Sequence, residues 1–110
     1  MQGIAASKML SLPVRTHGIH LGRPVELLLD GGGRRVVGLD VVCRDGAHRF
    51  LPFSVADVRA EEIAVESTLM LLDERALDYY RARTRPLADA NHAEPWVDER
   101  GLVHESRAVA

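Results

Sequence analysis

The stretch Arg35-Val-Val-Gly-Leu-Asp-Val-Val-Cys-Arg-Asp-Gly-Ala-His-Arg-Phe-Leu-Pro-Phe53 decides the fold. Between Val36 and Arg44 the side chains of Val37, Leu39, Val41 and Cys43 fall on one face of an extended chain, and Gly38, Asp40 and Arg44 fall on the other. A repeat of two predicts a half-buried strand, because successive side chains of a strand point to opposite sides of the sheet. Asp45-Gly46 follows at once. That pair suits the positive φ angles of a two-residue type I′ turn, so Ala47 to Phe53 is predicted to return antiparallel.

Outward from this hairpin the same rhythm holds. From Met9 to Ser67 short apolar runs are separated by turn residues, at spacings of about 8–12 residues, as in a small barrel or sandwich. Val25 to Leu29 is β-compatible and ends at Asp30-Gly31-Gly32-Gly33, where three glycines would weaken any strand interior. Ile63 and Val65 alternate with Ala64 and Glu66 in a closing strand. The expectation is a mainly β domain over residues 9–72, of about six short strands closed into a barrel that hides its sheet edges.

After Leu72 the period changes. Asp73 can cap a helix that carries Ala76, Leu77 and Tyr80 on one side and is stopped by Pro86. An appended helix of about three turns is predicted over 73–86. Asp73 and Glu74 at its start, with Arg81, Arg83 and Arg85 towards its end, match the helix dipole. Residues 87–110 read as linker and tail. Within them Trp96-Val97 and Leu102-Val103 flank Asp98-Glu99-Arg100-Gly101 and can pair as a short hairpin, or open a truncated second repeat.

Composition narrows the function classes. The 110 residues suffice for one core without disulfides or metal. Fourteen basic and 16 acidic residues give a net charge of -2, so no overall field gathers a phosphate backbone, and nucleic-acid binding has no support from bulk charge. Cys43 is the single cysteine, which points to a reducing cytoplasm. Met1 to Leu10 has no apolar run long enough for a signal peptide. Nowhere do about 18 apolar residues run together, so no membrane crossing is expected.

Leu12-Pro-Val-Arg15, Gly18-Ile-His-Leu-Gly22 and Val25-Glu-Leu-Leu-Leu-Asp30 resemble the opening of PRC-barrel domains. Arg35-Val-Val-Gly-Leu39 is similar to the family's central strand, Phe50-Leu-Pro-Phe-Ser54 to its aromatic-x-Pro-Phe segment, and Asp57-Val58 with Ile63-Ala-Val65 to its last turn and strand. The resemblance covers about Met9 to Leu72. Pro24 departs from it, standing either at the first residue of a strand, where a missing N–H is harmless, or at a slip in the correspondence. Such barrels occur in the photosynthetic reaction-centre H subunit and at the C-terminus of a ribosome-maturation factor. The resemblance therefore implies a docking module and carries over no site residue.

Each chemical motif has a structural reading beside it. His17 and His20 could join His48 around a metal, but Gly18 between them favours a turn. Gly31-Gly32-Gly33 with Arg34-Arg35 could cradle a phosphate, although no helix start or Lys-Ser/Thr completes a P-loop. Cys43 lies on an apolar strand face, where a thiol is usually inert packing. Ser54 lacks a nucleophile elbow. Asp57, Glu61 and Glu62 form an acidic edge with nothing apolar to enclose an acid/base pair. No catalytic, metal or cofactor residue is assigned. Tyr80, Arg81, Arg83 and Arg85 at the helix end, with Trp96 in the tail, are the candidate partner-binding residues. The expected function is non-catalytic docking to a protein partner or to a second copy, a homodimer being the simplest form. A ligand or enzymatic domain using the Arg34-Arg35 turn, or an RNA-associated factor, is the alternative.

Overall fold

A computed structural model describes residues 3–89 and 94–105. The chain runs β1 (Ile4–Ala5), α1 (Ala6–Ser11), β2 (Val14–Thr16), β3 (Ile19–Leu29), β4 (Val36–Cys43), β5 (His48–Pro52), β6 (Asp57–Val58), β7 (Ile63–Ala64), α2 (Glu74–Arg81), β8 (Arg85–Pro86), β9 (Pro95–Val97) and β10 (Val103–Glu105). Six strands, β2 to β7, lie within 9–72, as the sequence rhythm leads one to expect. They form one sheet in the order β5-β4-β3-β2-β7-β6, with β8 beside β3, while β1, β9 and β10 form a second. The protein is mainly β, and neither sheet closes into a barrel among the described residues. The outer edge of β5 is covered locally instead, where Phe50 and Leu72 exchange backbone hydrogen bonds of 2.9 and 2.8 Å.

The β4–β5 hairpin forms with Val42 opposite His48, but its loop differs from the expected one. The N–H of Gly46 donates to the Cys43 carbonyl and the N–H of Cys43 to the Ala47 carbonyl. The loop is therefore three residues, Arg44 to Gly46, and of these only Gly46 has a positive φ, of 84°. The two-residue turn with both φ positive occurs at His17 (48°) and Gly18 (80°), joining β2 to β3. Pro24 lies inside β3 opposite Val41, beside a register shift that leaves exposed Val25 as the extra residue. A bulge is a place where a strand tolerates proline.

A second shift, between Leu28 and Leu29, corrects the reading of β4. Leu29 pairs with Val36 and Leu28 with Gly38, which leaves Val37 as the extra residue. Val36, Leu39, Val41 and Cys43 enter the main core with Leu27, Leu29, Leu51, Val14 and Ile63. Val37 instead packs on the opposite face with Leu28, Phe50 and Leu77. That second face was expected to be polar and open. It is closed by α2, whose Leu77 is buried against it. Gly38 has no side chain for a reason visible here, since a Cβ would sit 2.3 Å from the Phe50 ring.

The Asp73 carboxylate caps α2 by accepting from the Ala76 N–H at 3.1 Å, as predicted. The helix stops at Arg81, however, and covers eight residues. Arg85 and Pro86 leave it to pair with Leu29 and Leu28. Arg83 and Arg85 are thus beyond the helix, although the Arg83 guanidinium still reaches back to the Tyr79 carbonyl in its last turn at 2.9 Å. The tail also differs from a linker. β9 and β10 form the expected hairpin, but Ile4–Ala5 pairs with its other edge, Val97 is wholly buried in the main core, and the hairpin is bonded to the start of β4 through Val36 N–H to Gly101 O and Val103 N–H to Arg34 O. Residues 90–93 and 106–110 of that segment lie outside the described residues. No helix among the described residues is long and apolar enough to cross a membrane.

Candidate functional site

Two surfaces concentrate chemistry, on opposite faces of the β3–β4–β5 sheet. On the α2 face, Asp40 on β4 is only 4% exposed because the helix lies over it. A buried carboxylate needs partners for both oxygens. His48 Nδ1 lies 2.8 Å from Oδ1, and Arg81 from the last turn of α2 donates to Oδ2. Asp40 thus fixes the helix end to the sheet and presents the His48 ring at the surface by its Nδ1 side. Tyr80 stacks on Phe50 with ring centres 4.1 Å apart, Tyr79 meets Tyr80 edge-on, and the Arg83 guanidinium lies 3.7 Å over the Tyr79 ring.

The residues nominated from sequence for partner binding each make a contact within the chain, while Arg81, Arg83 and Arg85 remain exposed. Tyr80 is half of the Phe50 stack and Arg81 holds Asp40. Arg83 donates to the Tyr79 carbonyl at 2.9 Å, and Arg85 reaches the Asp89 carbonyl at 3.4 Å. Trp96 stacks on His104 at 4.2 Å, far along the chain from the other four. His104 in turn lies 2.9 Å from Asp98, and that contact holds the Asp98 carboxyl below the ordinary carboxylate range.

The second surface is an open groove of about 510 Å³ beside the β4–β5 loop. Ile19 and Leu21 of β3, Cys43 at the end of β4, and Thr68 and Leu71 from the connection after β7 form its apolar part. The β2–β3 turn at His17-Gly18 lifts Ile19 onto the rim, where it is 60% exposed. Leu69, within the single turn Thr68–Met70, is 84% exposed. The charged rim is uneven. Arg49 makes two hydrogen bonds to Asp45, of 3.1 and 3.0 Å, which hold the Asp45 carboxyl below its ordinary range and the Arg49 guanidinium above its own. Both members of that pair are satisfied within the loop region, Asp45 also by the Ala47 N–H and Arg49 also by Cys43, whereas the side chains of Arg44 and His20 have no partner among the described residues.

Other motifs resolve into local structure. His17 Nε2 lies 3.1 Å from the Glu66 carbonyl, His20 lines the groove and His48 faces Asp40, so the three imidazoles have separate surroundings. No group of three potential metal ligands occurs among the described residues. In the Gly31–Gly33 loop the Asp30 carboxylate accepts from the N–H groups of Arg34 (3.0 Å) and Arg35 (3.4 Å), donors that a phosphate would need. Arg59 pairs with both Asp57 and Glu62. Ser54 lines a cleft of about 360 Å³ with Phe53 and Asp57, opposite the Asp98–Arg100 turn. Asp40, Ile19, Arg44 and Leu69 were passed over in the sequence. The one signal for Leu69 is the run Leu69-Met-Leu-Leu72, four apolar residues where only some can be covered.

Neither a protein-family model nor a curated protein matches the chain.

Proposed function

We propose that this chain is a non-catalytic docking module of the PRC-barrel type that binds a protein partner through the Ile19–Leu71 groove and the exposed turn beside it. The observation that carries the reading is Ile19, 60% exposed on the rim of an open groove whose wall includes Leu21, Thr68 and Leu71, with Leu69, 84% exposed, in the turn that begins at Thr68. Single exposed apolar side chains are ordinary, whereas several around one concavity mark an interaction surface. The groove is also shallow, and a small molecule is usually buried over most of its surface by its site. A protein segment suits it better. The PRC-type assignment rests on the order of the motifs and on six strands within 9–72, with the eleven-residue β3 and the open strand path as its departures from a closed barrel of short strands.

A homodimer through the same groove is less favourable, because a twofold axis there would set Arg44 and His20 of one copy against the same residues of the other. The test is site-specific photocrosslinking in cells with a reactive residue at position 69 and, as a control, at exposed position 25. The partner trapped from position 69 is then purified and its binding measured by calorimetry. Docking at the groove predicts a complex that position 25 does not trap and that is weakened about tenfold or more by Leu69→Ser, in line with loss of an interface anchor. Equal trapping from both positions, or an affinity untouched by Leu69→Ser, would refute the reading.

A further inference from the structure

We infer that the groove selects an acidic partner segment, one in which apolar side chains enter between Ile19, Leu21 and Leu71 while a carboxylate meets Arg44. This rests on the docking reading above and adds the chemistry of the occupant.

The argument is one of charge left over. Of the ionised side chains on the rim, Asp45 and Arg49 satisfy each other in a bidentate pair, and the carboxylate has a third donor in the Ala47 N–H at 3.0 Å. Neither has reason to turn towards a partner. Arg44 differs. Its backbone N–H is tied to the Leu21 carbonyl at 3.1 Å, which fixes the base of the residue, while its guanidinium has no partner among the described residues. His20 adds a second nitrogen-bearing ring on the same rim, also without a partner there. Among the described residues the groove therefore presents one unpaired positive charge, and no unpaired negative one, beside exposed Ile19 and the half-buried Leu21 and Leu71. A guanidinium on such a rim gains most from a carboxylate, which it can bind through two parallel N–H donors. A lysine-bearing segment would meet like charge.

Cys43 supplies the means to test this. It is the single cysteine of the chain, it lines the groove, and it is only slightly exposed, so anything seated in the groove shields its sulfur. Three hexapeptides with leucine at alternate positions, and glutamate, serine or lysine between, are titrated against the full chain. The rate of Cys43 alkylation by iodoacetamide is followed by intact mass. The glutamate peptide is expected to slow alkylation several-fold at a concentration where the serine peptide acts more weakly and the lysine peptide least. The order should invert in Arg44→Glu, a substitution at a loop position whose backbone bond is unaffected, and the spread should shrink at high salt. If the three peptides protect equally, docking at the groove stands and charge selection is overturned. If none protects, the groove is not a docking site and both readings fall.

Discussion

The two faces of the central sheet solve the same problem in opposite ways. On one face α2 covers β4 and β5, and the carboxylate it buries has partners, Asp40 being held by both Arg81 and His48. On the other face, beside the β4–β5 loop, Ile19 at the start of β3 faces solvent, as does Leu69 in the neighbouring turn, and Arg44 has no counter-ion among the described residues. The first face is finished within the chain and holds the fold together. The second is incomplete in the way interaction surfaces are. The difference teaches that suggestive chemistry and an open surface need not coincide, since Arg81 and Tyr80, the residues that stood out in sequence, also hold the helix to the sheet.

The contrast is sharpest in how each face responds to mutation. Arg81→Met should have the largest effect, because it leaves the Asp40 carboxylate, whose side chain is 5% exposed, with His48 as its remaining donor. A loss of about 3 kcal/mol in urea denaturation is expected, at the lower end for breaking a buried pair because that donor persists. Asp40→Asn should cost only about 1 kcal/mol, since Arg81 and His48 are both about half exposed and water can receive them. Replacing both, with Asp40→Leu in the Arg81→Met background, should recover most of the loss, because no buried charge is then left alone. Equal costs for the two single variants would contradict this account of the helix end.

Val97→Ala comes next, at about 2 kcal/mol for two buried methyl groups and the space they leave. A cost near zero would mean that the tail is the linker the sequence suggested. On the open face, Ile19→Ser and Leu69→Ser should each change stability by less than about 0.5 kcal/mol, as exposed positions do. A large loss there would show that these side chains belong to the core.

How much of this could be read beforehand depended on whether the cause was local. The β4–β5 hairpin and the Asp73 cap were visible because alternation, a turn pair and a capping carboxylate act over a few residues. Helix α1 was not, since Ala6–Ser11 is six residues long with no side-chain cap and is held by burying Ala6 and Met9. Val37 was misplaced because a bulge reverses the alternation, and bulges are set by the partner strand. Asp40 read as a solvent-facing residue because nothing in β4 indicates that a helix more than thirty residues later lies over it. The groove escaped notice for the same reason, as it joins Ile19, Cys43 and Leu71 from three distant segments.

The smallest expected effect concerns acid. Asp45 and Asp98 both have folded-state pKa values below the ordinary 3.8, the first through Arg49 and the second through His104. A lowered carboxylate value stabilises the fold fully above 3.8, and that contribution disappears as the pH falls through the folded-state value. Trp96 reports on it, because its ring stacks on His104. The acid limb of a stability–pH profile followed by Trp96 fluorescence should therefore be shallower in Asp98→Asn than in the unmodified chain. An identical limb would mean that the Asp98 contact adds nothing.

The most direct test compares the two faces in one binding experiment. The partner identified by crosslinking is titrated calorimetrically into the unmodified chain, into the Ile19→Ser/Leu69→Ser variant and into Tyr79→Ala/Arg83→Ala, which alters the outer side of the helix end. The account expects a loss of about tenfold or more for the groove variant, with its melting temperature unchanged, and none for the helix variant. An unchanged affinity at the groove, or a loss confined to the helix variant, would contradict it.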